Sequence, residues 1–508
     1  MGNYEAVILG PISDEPGGST FDDNRSPRGG RGVYGEGSAE ADCHAIHLPF
    51  TMSIMKQLLL FLLMLSFALP CAADNPPAGK IPAPEMIALA QAHSPKLRES
   101  IEFCFGASLK DGTAWVGEGP EFFFAIEAAT APMLVIDEGA RQPMLAVPGM
   151  AKEPSLWYAI AHVEPVGRLH QFYFLVNGVK LGEHPNLPVF GPLSYRLPGV
   201  PTGKLSETIV HTSKIYDEMK SNYWIYVPAE YDPKVPAAVM VFQDGGDYLS
   251  RQGNNNTLNV IDNLIAQKKI PVMICVFIDP GDISGSRGTP TYDLVKGQAD
   301  RWGGPVKDAT RSMLYDTVSD RYARFLRDEV LVEVGAKYNL RKDAYSHAIT
   351  GASSGGICSF NAAWQLPDTF SRVIALVPAF ASREWKENLA FPDGGQDYPD
   401  KILREPKRNL RIWLRDASDD LENEHWGSLP LNNIRVANAL KTRDYDFHFS
   451  FGKGVHSWAQ GAAEFPKEMI WLWRDYDPAK TSDDFKPDPE EKGKPLFRVA
   501  IINRDSDE

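Results

Sequence analysis

The sharpest chemical signal lies past the middle of the chain. Gly351-Ala352-Ser353-Ser354-Gly355-Gly356 follows the apolar run AYSHAIT and opens a second one, ICSFNAAW. G-x-S-x-G between a strand and a helix is a nucleophile elbow, a tight turn that lifts a serine clear of the sheet. Small residues flank it because side chains there would strike the strand or the helix. The spacing selects Ser353 over Ser354 as the nucleophile. The N–H of Ser354 then stands at a helix N-terminus, where it can stabilise an oxyanion.

A serine hydroxyl is a weak nucleophile until a base takes its proton. Three histidines lie downstream, His425, His448 and His456. His448 falls inside the strand-like DFHFSF, which gives it a structural role. His456 falls in Gly452-Lys453-Gly454-Val455-His456-Ser457-Trp458, between the last strand and the last helix, and is the expected base; His425 is the reserve. The acid that orients the base should follow the preceding strand, NLRIWLRD. Several carboxylates compete in Asp416-Ala417-Ser418-Asp419-Asp420-Leu421-Glu422-Asn423-Glu424, with Asp420 the first choice and Asp419 the second. A calcium loop fails there, because no glycine stands at the sixth position. A second oxyanion donor is expected near Gly245 and Gly246, in the Asp244-Gly245-Gly246-Asp247 turn after VMVFQ. These residue types in this order point to acyl transfer through a serine.

Such a site needs a rigid sheet beneath it. Beyond residue 205 we read strands at WIYVPA, AAVMVFQD, PVMICVFID, AYSHAIT, RVIALVP, NLRIWLRD and DFHFSFG. Helices lie between them, near 257–268, 316–337, 354–365, 430–441 and 463–475. Continuous apolar strands alternating with helices predict a mostly parallel sheet covered on both faces, with ligands at the carboxyl ends of the strands. Ahead of it, 83–105 has helical spacing broken at Ser94-Pro95. From 112 to 200 short aromatic and branched runs separated by turns predict an antiparallel β-sandwich, with Asn177-Gly178 as a hairpin turn. Trp115, Phe122, Phe124, Trp157, Tyr158, Phe172 and Phe174 are expected to form its core; a sugar-binding platform is the alternative.

The whole chain has 508 residues, with 52 Lys+Arg against 66 Asp+Glu and a net charge of −14. That balance excludes a sequence-independent nucleic-acid binder. Residues 58–69, LLLFLLMLSFAL, are too short to span a membrane. With Lys56 before them and Cys71-Ala72-Ala73 after, they read as a secretory signal peptide over 52–73. Translation is then expected to start at Met52 or Met55, with 1–51 an over-called start or a disordered leader. The mature chain would begin near Asp74 and act outside the cell or in the periplasm. Cys104, Cys275 and Cys358 would remain as buried free thiols, too few for a disulfide framework, and no C-x-x-C exists for a zinc ribbon.

The elbow, VFQDGGDYL, the helix DRYARFLRDEVLVEV, the DASDDLENE loop and GVHSWAQGAAEFPKEMIWLW together resemble the Putative esterase family, over roughly 205–475. That family includes ferric enterobactin esterases, feruloyl and acetylxylan esterases and formylglutathione hydrolases. The resemblance implies an α/β-hydrolase catalytic domain over 205–478, preceded by a helical lead-in over 74–111 and a small immunoglobulin-like sandwich, and followed by an acidic tail over 479–508. It implies a Ser353–Asp420–His456 triad, no metal and no other cofactor, and substrate contacts from Arg311 and Tyr315. The expected activity is hydrolysis of carboxylic esters through an acyl-enzyme, on feruloyl or acetyl groups linked to carbohydrate. A siderophore esterase, an acyltransferase and a non-catalytic glycan-binding protein are the alternatives.

Overall fold

Nine strands form the sheet that carries the elbow. The computed structural model describes residues 81–149, 155–182, 186–252, 256–282, 306–381, 394–423 and 427–498. The leader, the signal-peptide segment and His425 lie outside the described residues.

The described residues open with three helices, α1 (Ala83–Gln91), α2 (Leu97–Phe105) and α3 (Ser108–Asp111). Nine strands follow: β1 (Trp115–Glu118), β2 (Glu121–Ala128), β3 (Met133–Ile136), β4 (Gln142–Pro143), β5 (Leu145–Ala146), β6 (Ser155–His162), β7 (Arg168–Val176), β8 (Val179–Leu181) and β9 (Asn186–Val189). They pair as two antiparallel sheets, β1-β2-β6-β5 and β4-β3-β7-β8 with β9 added to β7. Asn177 and Gly178 turn β7 into β8 with φ of +52° and +82°, the backbone that a two-residue hairpin requires. Phe122 and Phe124 from β2 meet Phe172 and Phe174 from β7 between the sheets. The opposite face of β2 presents Phe123 and Ala125 to α1, α2 and α3. The lead-in helices therefore form a third layer of the sandwich. Of the seven aromatics, six are buried, and Trp157 spends its indole N–H on Ala128 O. They are core and offer no sugar platform.

The large sheet is built from β10 (Lys204–Leu205), β11 (Ile209–Thr212), β12 (Lys220–Val227), β13 (Ala238–Gln243), β14 (Met273–Ile278), β15 (His347–Ala352), β16 (Arg372–Leu376), β17 (Arg411–Asp419) and, after the small hairpin β18 (Glu422–Asn423) and β19 (Gly427–Ser428), β20 (Asp446–Val455). Its order is β10-β12-β14-β13-β15-β16-β17-β20, with β11 alongside β12. From β14 to β20 every pairing is parallel, and β10, β11 and β12 add an antiparallel edge. β13 to β16 are buried at every position, as strands covered on both faces must be.

Alternate residues of β13 divide the core. Ala238, Met240 and Phe242 face α4 (Thr257–Ala266) and α11 (Ala459–Leu472). Val239 and Val241 face α5 (Val306–Tyr315), α6 (Arg321–Phe325), α7 (Leu331–Gly335), α8 (Ser354–Gln365), α9 (Tyr398–Arg404) and α10 (Leu429–Thr442). A π-turn over Leu326–Val330 joins α6 to α7. Glu329 in that turn accepts from the backbone N–H groups of Lys214 and Ile215, both at 2.9 Å, and meets His211 Nε2 at 3.0 Å. The edge strand β11 is fastened to the helical layer in this way. Helices α5 and α9 are among the elements that the sequence pattern did not reveal, with the short strands β10 and β11.

Cys104, Cys275 and Cys358 are buried free thiols, as expected. Among the described residues no helix is long and apolar enough to cross a membrane. The segment after α11 packs rather than trailing away: Phe485 and Glu491 are buried, and α12 (Pro489–Gly493) is capped by Asp488. Phe485 joins Tyr345, Trp473 and Tyr476 around the guanidinium of Arg372 on β16, at 4.8–5.6 Å from the four rings. That guanidinium also donates to Leu472 O at 2.5 Å. Burial, with Arg411 close by, pulls its pKa down to about 9.

Candidate active site

The elbow stands where the sheet's parallel strands end. β15 runs to Ala352, α8 begins at Ser354, and Ser353 between them has φ +57° and ψ −122°. An L-residue held there is strained, which is common where a side chain must be presented for chemistry. Backbone bonds on both sides hold it: Ser353 N–H donates to Leu376 O at 2.9 Å, and Ala379 N–H donates to Ser353 O at 3.0 Å. The glycines are needed for space. A Cβ on Gly351 would lie 2.5 Å from Gly355 O, and one on Gly355 would lie 2.9 Å from Asp244 Oδ2.

His456 follows β20 directly and precedes α11. Its Nε2 lies 2.9 Å from Ser353 Oγ, and its Nδ1 lies 2.5 Å from Asp420 Oδ1. An ionised carboxylate only accepts, so Nδ1 carries the hydrogen and Nε2 presents a lone pair to the serine hydroxyl. Asp420 ends the stretch where β17 slips register against β20 between Ala417 and Asp419. The bulge turns the Asp420 side chain inward, fully buried, while Asp419 is exposed. Asp420 Oδ1 also accepts from Leu421 N–H at 2.5 Å. Ser353, His456 and Asp420 are thus brought together, and Asp419 is not.

Asp416, which the sequence placed among the competing acids, lies beneath Asp420. It is fully buried, accepting from Asn433 Nδ2 at 2.6 Å and from Ala417 N–H at 2.8 Å. Burial raises its carboxyl well above the usual range, and the neighbouring Asp420 raises it further. Burial would also raise Asp420, but the hydrogen bond to His456 and the Asp416 neighbour outweigh it, leaving Asp420 below its ordinary value. Of this close pair, Asp416 keeps the proton and Asp420 the charge.

The expected oxyanion donors separate. The N–H of Ser354 opens α8, at the positive end of that helix. Gly245 starts a short 3-10 turn (Gly245–Tyr248), where first-turn N–H groups have no partner within the turn. It must be glycine, since a Cβ would fall 2.2 Å from Ile278 N. Gly246 does not fit the expectation: its N–H donates to Asp279 Oδ1 at 2.8 Å.

Arg311 and Tyr315 are also placed differently from the expectation. Tyr315 is 1% exposed, and its hydroxyl accepts from Asp244 N–H at 3.3 Å. Arg311 grips Asp244 through two bonds, Nε to Oδ1 at 2.8 Å and Nη2 to Oδ2 at 2.7 Å. Burial alone would lower its pKa, but the Asp244 charge overrides this and raises it. Tyr315 spends its hydroxyl and Arg311 its Nε and Nη2 on the protein because helix α5 packs against the end of β13. A separate cavity of about 650 Å³, lined by Asp137, Arg168, Tyr173, Phe451, Lys453 and Lys467 among others, lies between the sandwich and β20 and contains none of the triad residues.

The family model described as Putative esterase matches residues 214–472, just over half of the chain. No curated protein matches the chain. Among solved structures, the enterobactin esterase FES from Shigella flexneri in the presence of enterobactin is 13% identical, with a TM-score of 0.46, covering 76% of this chain and 99% of its own. The CE1 ferulic acid esterase AmCE1/Fae1A from Anaeromyces mucronatus in complex with ferulic acid is 16% identical, with a TM-score of 0.41, covering 55% and 94%. The ferric enterobactin esterase from Salmonella typhimurium is 14% identical, with a TM-score of 0.43, covering 72% and 97%. The family match spans the elbow, the acid loop and the histidine loop, and by it this chain belongs to the Putative esterase family as a carboxylic ester hydrolase of the serine class.

Proposed function

We propose that the protein hydrolyses esters through an acyl-enzyme on Ser353, with His456 as general base and acid and Asp420 as the group that orients it. One observation carries this reading: a continuous relay from Ser353 Oγ through both nitrogens of His456 to a buried, ionised Asp420. Ser353 Oγ attacks the ester carbonyl carbon and its proton passes to His456 Nε2. The carbonyl oxygen becomes an oxyanion facing the N–H groups of Gly245 and Ser354. Collapse breaks the bond to the alcohol oxygen, which leaves with the proton from Nε2. Water then enters by the same route, giving its proton to His456 and releasing the acid and Ser353.

The finer reading is an exported enzyme acting on feruloyl or acetyl groups attached to carbohydrate. It is motivated by the signal-peptide pattern of residues 52–73. Ser353→Ala is expected to abolish hydrolysis of p-nitrophenyl acetate and labelling by a serine-directed phosphonate, with an unchanged circular dichroism spectrum. Full residual turnover would refute the mechanism. A panel of feruloyl, acetyl-xylan and catecholate-siderophore esters assigns the substrate class, and preference for the siderophore triester would overturn the carbohydrate reading.

A further inference from the structure

The two oxyanion donors of the proposed mechanism sit on different elements, one after β13 and one at the start of α8. Catalysis depends on their spacing, because donors must lie 2.7–3.1 Å from where the oxyanion forms. A single stretch of chain, from Arg311 to Tyr322, bonds to both. At the β13 end, Arg311 holds the Asp244 carboxylate through two parallel bonds and Tyr315 Oη accepts the Asp244 N–H. Asp244 has φ +55°, a left-handed backbone that an aspartate keeps only when it is restrained. Gly245 is the next residue. Tyr322 Oη donates to Gln243 Oε1 at 2.8 Å, on the residue before. At the α8 end, Asp316 Oδ2 accepts from Ser354 Oγ at 3.0 Å and from Ser312 Oγ at 2.8 Å. Arg311 Nη2 further reaches Ala352 O at 3.4 Å, on the residue before the nucleophile.

We propose that Arg311 and Asp316 are positioning residues for the oxyanion hole: Arg311 fixes the loop that presents Gly245 N–H, and Asp316 fixes Ser354, whose own N–H is the second donor. The inference rests on the serine mechanism above. No substrate contact is required of either residue. Both hydroxyl bonds to Asp316 fall on one oxygen, so an asparagine can reproduce them. The grip on Asp244 needs two parallel N–H groups, so a lysine cannot replace Arg311.

Arg311→Lys, Asp316→Ala and Ser354→Ala are each expected to lower kcat on p-nitrophenyl acetate by about 10- to 100-fold, less than outright loss of a donor, with KM within about threefold. Inhibition by a phenylboronic acid, whose adduct on Ser353 is tetrahedral and anionic, should weaken in parallel. Asp316→Asn and Ser354→Thr should restore both readouts. A merely structural role would instead lower thermal stability and leave kcat and boronate inhibition unchanged, or would leave Asp316→Asn as impaired as Asp316→Ala; either result overturns the proposal. Should Arg311→Lys fail to fold, the Ser354 pair decides. Turnover surviving in Ser353→Ala would refute the serine mechanism, whereas wild-type kcat in the Asp316 and Ser354 alanine variants refutes only the positioning role.

Discussion

Replacing Asp420 by asparagine tests the relay at its least visible point. In the structure both bonds that the carboxylate makes at this point, from His456 Nδ1–H and from Leu421 N–H, fall on Oδ1. An asparagine whose carbonyl oxygen takes that position keeps both bonds. It also keeps the hydrogen on Nδ1, so Nε2 can still accept from Ser353. What disappears is the negative charge beside the imidazolium that forms during the reaction. Two unit charges about 4 Å apart interact by about 4 kcal/mol at an effective dielectric of about 20. A neutral hydrogen bond returns about 1 kcal/mol of that. The balance, about 3 kcal/mol, is a fall in kcat on the order of 10²-fold. If the amide were turned the other way, its NH2 would force the hydrogen onto Nε2, and the fall would reach about 10⁴-fold, as in the serine-protease case from which that figure comes. Asp420→Ala loses orientation as well as charge and should fall below Asp420→Asn. Initial rates with p-nitrophenyl acetate, on protein checked by circular dichroism, read all of this. Asp419→Asn is the control, since Asp419 is exposed on the bulge, and it should stay within about threefold of wild type. Asp420→Asn and Asp420→Ala both within threefold of wild type would refute the assignment of the acid.

Gly351→Ala should destabilise the fold by about 1–3 kcal/mol, because the new Cβ would press on Gly355 backbone atoms that cannot move without shifting the elbow; an unchanged urea midpoint would contradict this. Burial would raise the Glu329 carboxyl, but His211, Ser213 and two backbone N–H groups hold it below its ordinary value. A carboxyl lowered on folding contributes stability above about pH 4.3, its unfolded value, and that contribution is lost as pH falls through the lowered one. Glu329→Gln should therefore cost about 1–3 kcal/mol at pH 7 and show a smaller further loss between pH 5 and 3; parallel stability curves for variant and wild type would refute it.

The order of chemistry-bearing residues along the chain was legible because the elbow is a local motif. Gly351, Ser353 and Gly355 act within one turn, so their spacing carries the geometry. His456 was legible because the last strand and the last helix bracket a short loop. The choice between Asp419 and Asp420 rests on a register slip in β17, which depends on pairing with β20 and leaves no local trace. The same holds for Gly246, whose N–H is taken by Asp279 across the end of β14. Arg311 and Tyr315 were noticed for their type, yet their role follows from where α5 docks, and α5 itself is too weakly apolar to stand out. The large sheet was readable strand by strand from its continuous apolar runs. Its antiparallel edge at β10 and β11 was not, because strands of two and four residues are too short to carry such a signature.

The ring cage around Arg372 bears on how the protein is made. Arg372 starts β16, in the middle of the large sheet, but three of its four rings are supplied by Trp473, Tyr476 and Phe485. The sheet's last strand ends at Val455, ahead of all three of those rings. Before they arrive, the guanidinium has only Tyr345, whose ring lies 4.8 Å away and whose carbonyl accepts from Nε at 2.8 Å. The same strand's Leu376 carbonyl accepts the nucleophile's own N–H, so the enclosed cation and the seat of the elbow share one element. A chain cut short before residue 473 carries every residue of the triad but lacks three of the four rings around Arg372.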